Sequence, residues 1–141
     1  MNRVTEELYR EFLLSGDTMR VYREDRLLFA SGKAGLSALL EYVAQSAPAE
    51  GPVTVFDRVV GNAAALLLRL VSCREVYSPR GSDIAVRTLR QFGIEFHFTE
   101  VVPFIKNRAQ DGMCPMERRS LDKNPEQFYQ ECLASGMGQG F

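Results

Sequence analysis

The chain carries one histidine, His97, and three cysteines, Cys73, Cys114 and Cys132. So few soft ligands leave little room for metal or acid–base constellations. No Cys-x-x-Cys spacing is present, and no metal site is expected. Residues able to do chemistry gather instead at three places where an apolar run gives way to a helical pattern. Ser31-Gly32-Lys33 combines a hydroxyl, a residue without bulk and a cation. Asp57 stands a few residues before Gly61-Asn62, and Gly81-Ser82 follows Arg80. Ligands in open α/β sheets bind outside the carboxyl ends of strands. Free N–H groups and the positive end of a helix dipole favour anions there. Ser31, Gly32, Lys33, Gly61, Asn62, Gly81 and Ser82 are therefore candidate contacts for a small anionic or nucleotide-like ligand. The full G-x-x-x-x-G-K-[ST] pattern of a phosphate loop is absent. Ordinary capping accounts for the same residues: Ser82 as an N-cap, Gly32 in a tight turn, Lys33 in solvent.

Asp57 ends a β-branched run and precedes an apolar helical stretch, so its carboxylate must be paired or accept N–H groups. It can hold a ribose hydroxyl or act as a general base; it can equally cap a helix or pair with Lys33 or Arg58. Asn62 can read a substrate amide or serve as capping chemistry, and Gly61 allows close backbone approach. Cys114 precedes Pro115, a favoured first helical residue, with Arg118 and Arg119 nearby. A thiol in that setting can be activated as a nucleophile, or it can pack as a small hydrophobe. Glu117 can act beside it or complete the cap. Cys73 and Cys132 lie in apolar stretches and read as packing residues. His97 shares the polar side of its strand with Glu95 and Thr99 and reads as solvated or hydrogen-bonded.

Hydrophobic periodicity places the elements that hold these residues. Val4, Leu8 and Phe12 at i, i+4, i+8 predict an amphipathic helix ending near Ser15-Gly16. Two antiparallel strands over Thr18–Glu24 and Leu27–Ala30 follow, then a helix opening at 31–35. Ala47–Pro52 is the clearest break. Val53–Phe56 predicts a strand, Gly61–Leu68 a buried helix and Glu75–Tyr77 a short strand. Ala85, Leu89 and Phe92 predict a helix stopped by Gly93, and Ile94–Thr99 a strand with one polar face. Asn124-Pro125-Glu126-Gln127 reads as N-cap, N1 proline and capping-box glutamine. The end from Gly136 to Phe141 reads as frayed. The order is α-ββ-α-β-α-β-α-β. It calls for right-handed crossovers and a mostly parallel sheet with an antiparallel hairpin at one side.

At 141 residues the chain is expected to form a single domain over 1–141, with a short helical C-terminal tail at about 113–135. Net charge is −1, which gives no support to a nucleic-acid partner. The uncharged run Val59–Leu68 is ten residues, against about 20 for a membrane span. No apolar segment follows a basic start, so no signal peptide and a cytoplasmic location are expected.

The element order, with the stretches Val55–Ala65 and Cys114-Pro115-Met116-Glu117, resembles a small uncharacterised bacterial family grouped with the cytidine-deaminase-like fold. The resemblance implies an α/β, three-layer fold: a mixed five-stranded sheet, antiparallel hairpin plus parallel strands, with helices on both faces. Deaminases of this fold carry zinc ligands and a catalytic glutamate at two helix starts. The corresponding positions here are Ser31-Gly32-Lys33 and Asp57–Asn62, which hold no Cys, His or Glu. The expected function is therefore zinc-free binding of a small phosphorylated or nucleotide-like metabolite, with no cofactor specified. One alternative is an enzyme using Cys114 as nucleophile or redox thiol, with Asp57 as its companion in catalysis. Another is a non-catalytic interaction module, with a second copy of the chain as its candidate partner in a homo-oligomer.

Overall fold

Strand alternation and two hydrophobic clusters, one on each face of the sheet, organise the chain in this computed structural model, which describes residues 2–46 and 50–136. Positions 47–49 of the expected break and 137–141 of the expected frayed end lie outside the described residues. The helix α1 (Arg3–Leu14) starts from Asn2, whose side-chain oxygen accepts the Thr5 N–H at 2.8 Å. The hairpin β1 (Met19–Arg23) and β2 (Arg26–Ser31) follows, then α2 (Ser37–Gln45). Next come β3 (Val53–Asp57), β4 (Val59–Val60), α3 (Asn62–Leu70), β5 (Cys73–Ser82), α4 (Asp83–Gln91) and β6 (Glu95–Val102). The chain then forms α5 (Pro115–Ser120) and α6 (Pro125–Ala134). None of the described helices is long and apolar enough to cross a membrane.

The sheet is mixed. β1 runs antiparallel to both β2 and β3, whereas β3, β4 and β6 run parallel to β5. Six strands are present where five were expected, and the extra one is β4. Its register continues that of β3: Phe56 faces Tyr77 and Val59 faces Arg80, three residues on in each chain. The two strands form one line along β5, interrupted at Arg58 across from Pro79. Pro79 also explains why the expected strand stops at Tyr77, since proline has no N–H for a central ladder. The chain instead carries β5 through Pro79. On its other side Ser78 pairs with Phe98 and Arg80 with Glu100, and the ladder passes over the proline. The helix expected to open at 31–35 begins later, at Ser37, because β2 extends to Ser31 and Gly35 turns the chain at φ +60°.

Alternation sends Met19, Val21, Val53, Val55 and Val76 to the face covered by α2, α3 and α4. Tyr22, Phe56 and Tyr77 point the other way and cluster with Phe12 of α1. Helices thus cover both faces. Helix α3 is enclosed almost all round, with Asn62 through Leu68 all buried. Its outer side is closed by α6, whose Phe128 and Cys132 join the same core. Burying a side chain of the size of Phe128 contributes about 1.5–3 kcal/mol, so the C-terminal helices are integral to packing. The capping box at Asn124 and Gln127 is formed, with Pro125 at the first turn.

Gly81 belongs to this packing rather than to an open surface. A Cβ there would meet the Phe98 ring at 2.2 Å. Gly81→Ala is expected to lower stability by about 1–3 kcal/mol in urea denaturation. In a Phe98→Leu background the loss should shrink, giving a measurable coupling between the two positions. An equal loss in both backgrounds would show that the ring is not the obstacle.

Candidate functional site

A crevice of about 310 Å³ opens where β3 ends, walled by the start of α3 and the segment leading into α5. Its apolar wall comes from Leu36, Val59, Ala63, Ala64, Ile105 and Met116; its polar groups are Thr18, Asp57, Arg58, Cys114 and Glu117. Three residues anticipated from sequence, Asp57, Gly61 and Cys114, meet here.

Asp57 accepts the Arg58 N–H at 2.7 Å and a second N–H from Val59. These bonds favour the carboxylate, but burial outweighs them and pushes its pKa up to about 7. The expected ion-pair partners are engaged elsewhere. Lys33 pairs with Glu41 on α2. The Arg58 guanidinium lies 4.4 Å over the Phe12 ring. It donates to the carbonyls of Phe12, Ser15 and Asp17, each at 2.9 Å. These oxygens sit at and beyond the end of α1, where backbone acceptors lack helical partners. Arg58 is thus a C-terminal clamp for α1, a role invisible in the sequence.

The second carboxylate, Glu117, is only 2% exposed. Its Oε1 accepts the Asn62 N–H at 2.6 Å and the Ser82 hydroxyl at 2.9 Å, and its Oε2 accepts the Ile105 N–H. The positive end of α3 therefore already holds an anion, supplied by the chain itself. Asn62 is satisfied in the same network: its side-chain amide donates to Ser120 Oγ at 2.9 Å and its oxygen accepts from Thr88. Ser82 caps α4 by accepting the Ala85 N–H at 3.0 Å while donating to Glu117. Gly61 leaves room for this arrangement, since a Cβ would stand 2.9 Å from Glu117 Oε1. Asn62 and Ser82 are positioned as supports behind the crevice, not as its lining.

Ser31, Gly32 and Lys33 also stand apart from the crevice lining. The Ser31 hydroxyl accepts the Lys33 N–H at 3.1 Å, and Thr18 donates to the carbonyls of Ser31 and Lys33 at 3.1 and 2.5 Å. The segment is tied to β1 in the manner of an ordinary turn.

Cys114 is half-buried at the N-cap of α5, its N–H bonded to the Ile105 carbonyl at 2.7 Å. Cys73 and Cys132 are enclosed in the core, and burial raises both thiols. Cys114 is the one cysteine at the crevice. Its donor set does not suit zinc of the deaminase kind: one thiol, one carboxyl held by its own backbone, and Glu117 saturated by three donors. His97 lies elsewhere, stacked on Tyr77. Sequence reasoning missed the central part of Glu117. The Cys-Pro-x-Glu stretch marks a helix start, but nothing in its spacing points back 55 positions to Asn62.

Glu117→Gln is expected to cost roughly 2–4 kcal/mol in equilibrium urea unfolding, because one converging donor then meets an amide N–H₂. A loss below about 1 kcal/mol would show that the carboxylate does not organise the network. For Asp57 the sign follows from a folded pKa above the unfolded value of 3.8. Between about pH 4 and 7 the native state keeps a proton that the unfolded chain has released, so stability falls as pH rises. Relative to Asp57→Asn, the wild type should lose stability through this window, by at most about 4 kcal/mol, and level off above it. A flat difference between pH 4 and 8 would place the pKa elsewhere.

Residues 9–135 match the family described as a domain of unknown function, DUF1893. The crystal structure of a DUF1893 family protein from Thermotoga maritima superposes with a TM-score of 0.85 at 22% identity, covering 96% of this chain and 91% of that one. At that identity the likeness establishes the fold. No curated protein matches the chain. Mixed sheet, helix arrangement and sequence match agree, and the chain belongs to the DUF1893 family.

Proposed function

We propose that the crevice at the end of β3 binds a small nucleoside-like metabolite through an uncharged hydrogen-bonding group, on a cytidine-deaminase-like fold whose crevice itself works without zinc. The observation that carries this reading is Asp57: a carboxyl with a pKa of about 7 set among apolar walls. Such a group accepts a hydrogen bond when ionised and donates one when protonated. A volume near 310 Å³ falls at the small end of ligand pockets. The crevice lends less support to a phosphate than the sequence suggests. Its helix N-terminus is occupied by Glu117, Arg58 is engaged with carbonyls, and Lys33 faces Glu41. Support for the deaminase-like identity of the fold comes from the element order, the two helical layers and the parallel run following the hairpin.

A second reading is favoured by one specific feature. Cys114, the half-buried thiol, lines the same crevice as a carboxyl that exchanges its proton near neutrality. In that reading Cys114 is the nucleophile and Asp57 its proton acceptor.

Thermal-shift titrations with nucleobases, nucleosides and their phosphates separate these readings. Neutral members should stabilise the wild type, as any ligand that binds the native state selectively does. Asp57→Asn should weaken binding at least tenfold, while Cys114→Ser should leave it intact. Turnover of a bound compound that disappears in Cys114→Ser would favour the second reading. No stabilisation by any compound, or equal stabilisation in Asp57→Asn, would overturn the first.

A further inference from the structure

The opposite face of the sheet brings together the only histidine and two glutamates. Parallel pairing sets Glu75 against Glu95 and Tyr77 against His97, so all four side chains emerge on one face of adjoining strands. His97 Nε2 lies 3.3 Å from Glu75 Oε2 and 3.7 Å from Glu95 Oε2. The three atoms all fall within 4.8 Å of one another. Ligand atoms at tetrahedral positions around a metal with bonds of about 2.0–2.2 Å stand roughly 3.3–3.6 Å apart. Both imidazole–carboxylate separations are close to that spacing. The remaining adjustment falls to Glu95, whose side chain is 71% exposed and free to swing.

Two contacts outside the trio hold it in order. The His97 ring stacks on Tyr77 with centroids 4.3 Å apart and planes 11° from parallel. The Tyr77 hydroxyl donates to Glu75 Oε2 at 2.7 Å. Tyr77 is itself anchored in the cluster with Phe12, Tyr22 and Phe56. A buried tyrosine thus fixes one ligand ring by its face and one ligand carboxylate by its hydroxyl, which is how outer partners orient metal ligands. The trio is exposed enough for an ion to enter, with the His97 and Glu75 side chains 34% and 23% accessible.

We propose that Glu75, Glu95 and His97 bind a divalent first-row transition-metal ion. One imidazole with two carboxylates suits Zn²⁺, Mn²⁺ or Co²⁺ rather than a soft monovalent ion. Three protein ligands leave a coordination position open to water. The site lies on the face away from the Asp57 crevice and does not depend on it.

Calorimetric titration with Zn²⁺ and visible absorption with Co²⁺ test the assignment. The expected result is one Zn²⁺ per chain and weak cobalt bands without thiolate charge transfer. His97→Ala and Glu75→Gln should each weaken binding at least tenfold, and Tyr77→Phe by a smaller factor. Asp57→Asn should bind as the wild type does. If His97→Ala does not fold by far-ultraviolet circular dichroism, the exposed Glu95→Gln carries the same test. Absence of Zn²⁺ binding, affinity unchanged in the ligand variants, or a thiolate band abolished by Cys114→Ser would overturn the proposal.

Discussion

The Glu117 carboxylate is the point on which the crevice end of the molecule depends. Its oxygens join the N-terminus of α3, the N-cap of α4 and the segment at Ile105. A buried charge is costly unless several donors converge on it. Here the donors are two backbone N–H groups and a hydroxyl; Asn62 and Ser82 are fixed at the starts of α3 and α4, and Ile105 lies in the segment before α5. The same bonds set where α5 lies, and α5 with its preceding segment forms one wall of the crevice. Crevice shape is thus a consequence of satisfying one carboxylate. Gly61 and Ser82, which look like ligand contacts in a linear reading, are the residues that make this satisfaction possible.

A second constraint shapes the opposite wall. Pro79 interrupts the pairing of β5 with the β3–β4 line, and the facing chain breaks at Arg58. That break releases Arg58 to reach the last carbonyls of α1. Asp57 is left at the end of β3 with two backbone donors and, among the described residues, no salt bridge; the nearby Arg58 charge offsets only part of the cost of its burial. The raised pKa of Asp57 and the capping of α1 therefore share one origin. A strand that continued smoothly would have given neither.

Periodicity made most of the architecture legible. Val53–Phe56, the alanine-rich helix after it and the alternating Phe96 and Phe98 are local patterns whose meaning does not change with tertiary context. The C-terminal capping box was equally plain because all its parts lie within four residues. What stayed hidden was long-range. Glu117 acts 55 positions from Asn62, and Arg58 acts 46 positions from Phe12. Pro79 misled the strand assignment because its local preference was overridden by pairing on both sides. At the candidate site, Asp57, Gly61 and Cys114 were recognisable as types. Lys33 was not recognisable as a partner of Glu41, since exposed cations carry no mark of their neighbours.

The two faces of the sheet treat their polar groups differently for a physical reason. On the α3 face, strand ends meet helix starts, and polar atoms there are drawn into capping, which consumes Asn62, Ser82 and Glu117. Asp57 and Cys114 line the crevice without being drawn into that network. On the α1 face, a single helix supplies the aromatic cover, centred on Phe12, and Tyr77 is the member of that cluster in contact with His97. There Glu75 accepts the Tyr77 hydroxyl on its own strand and meets His97 across to β6, which brings Glu75, Glu95 and His97 within reach of a common point. The scarcity of histidine in this chain thus coincides with its placement where neighbouring carboxylates, not capping groups, define its surroundings.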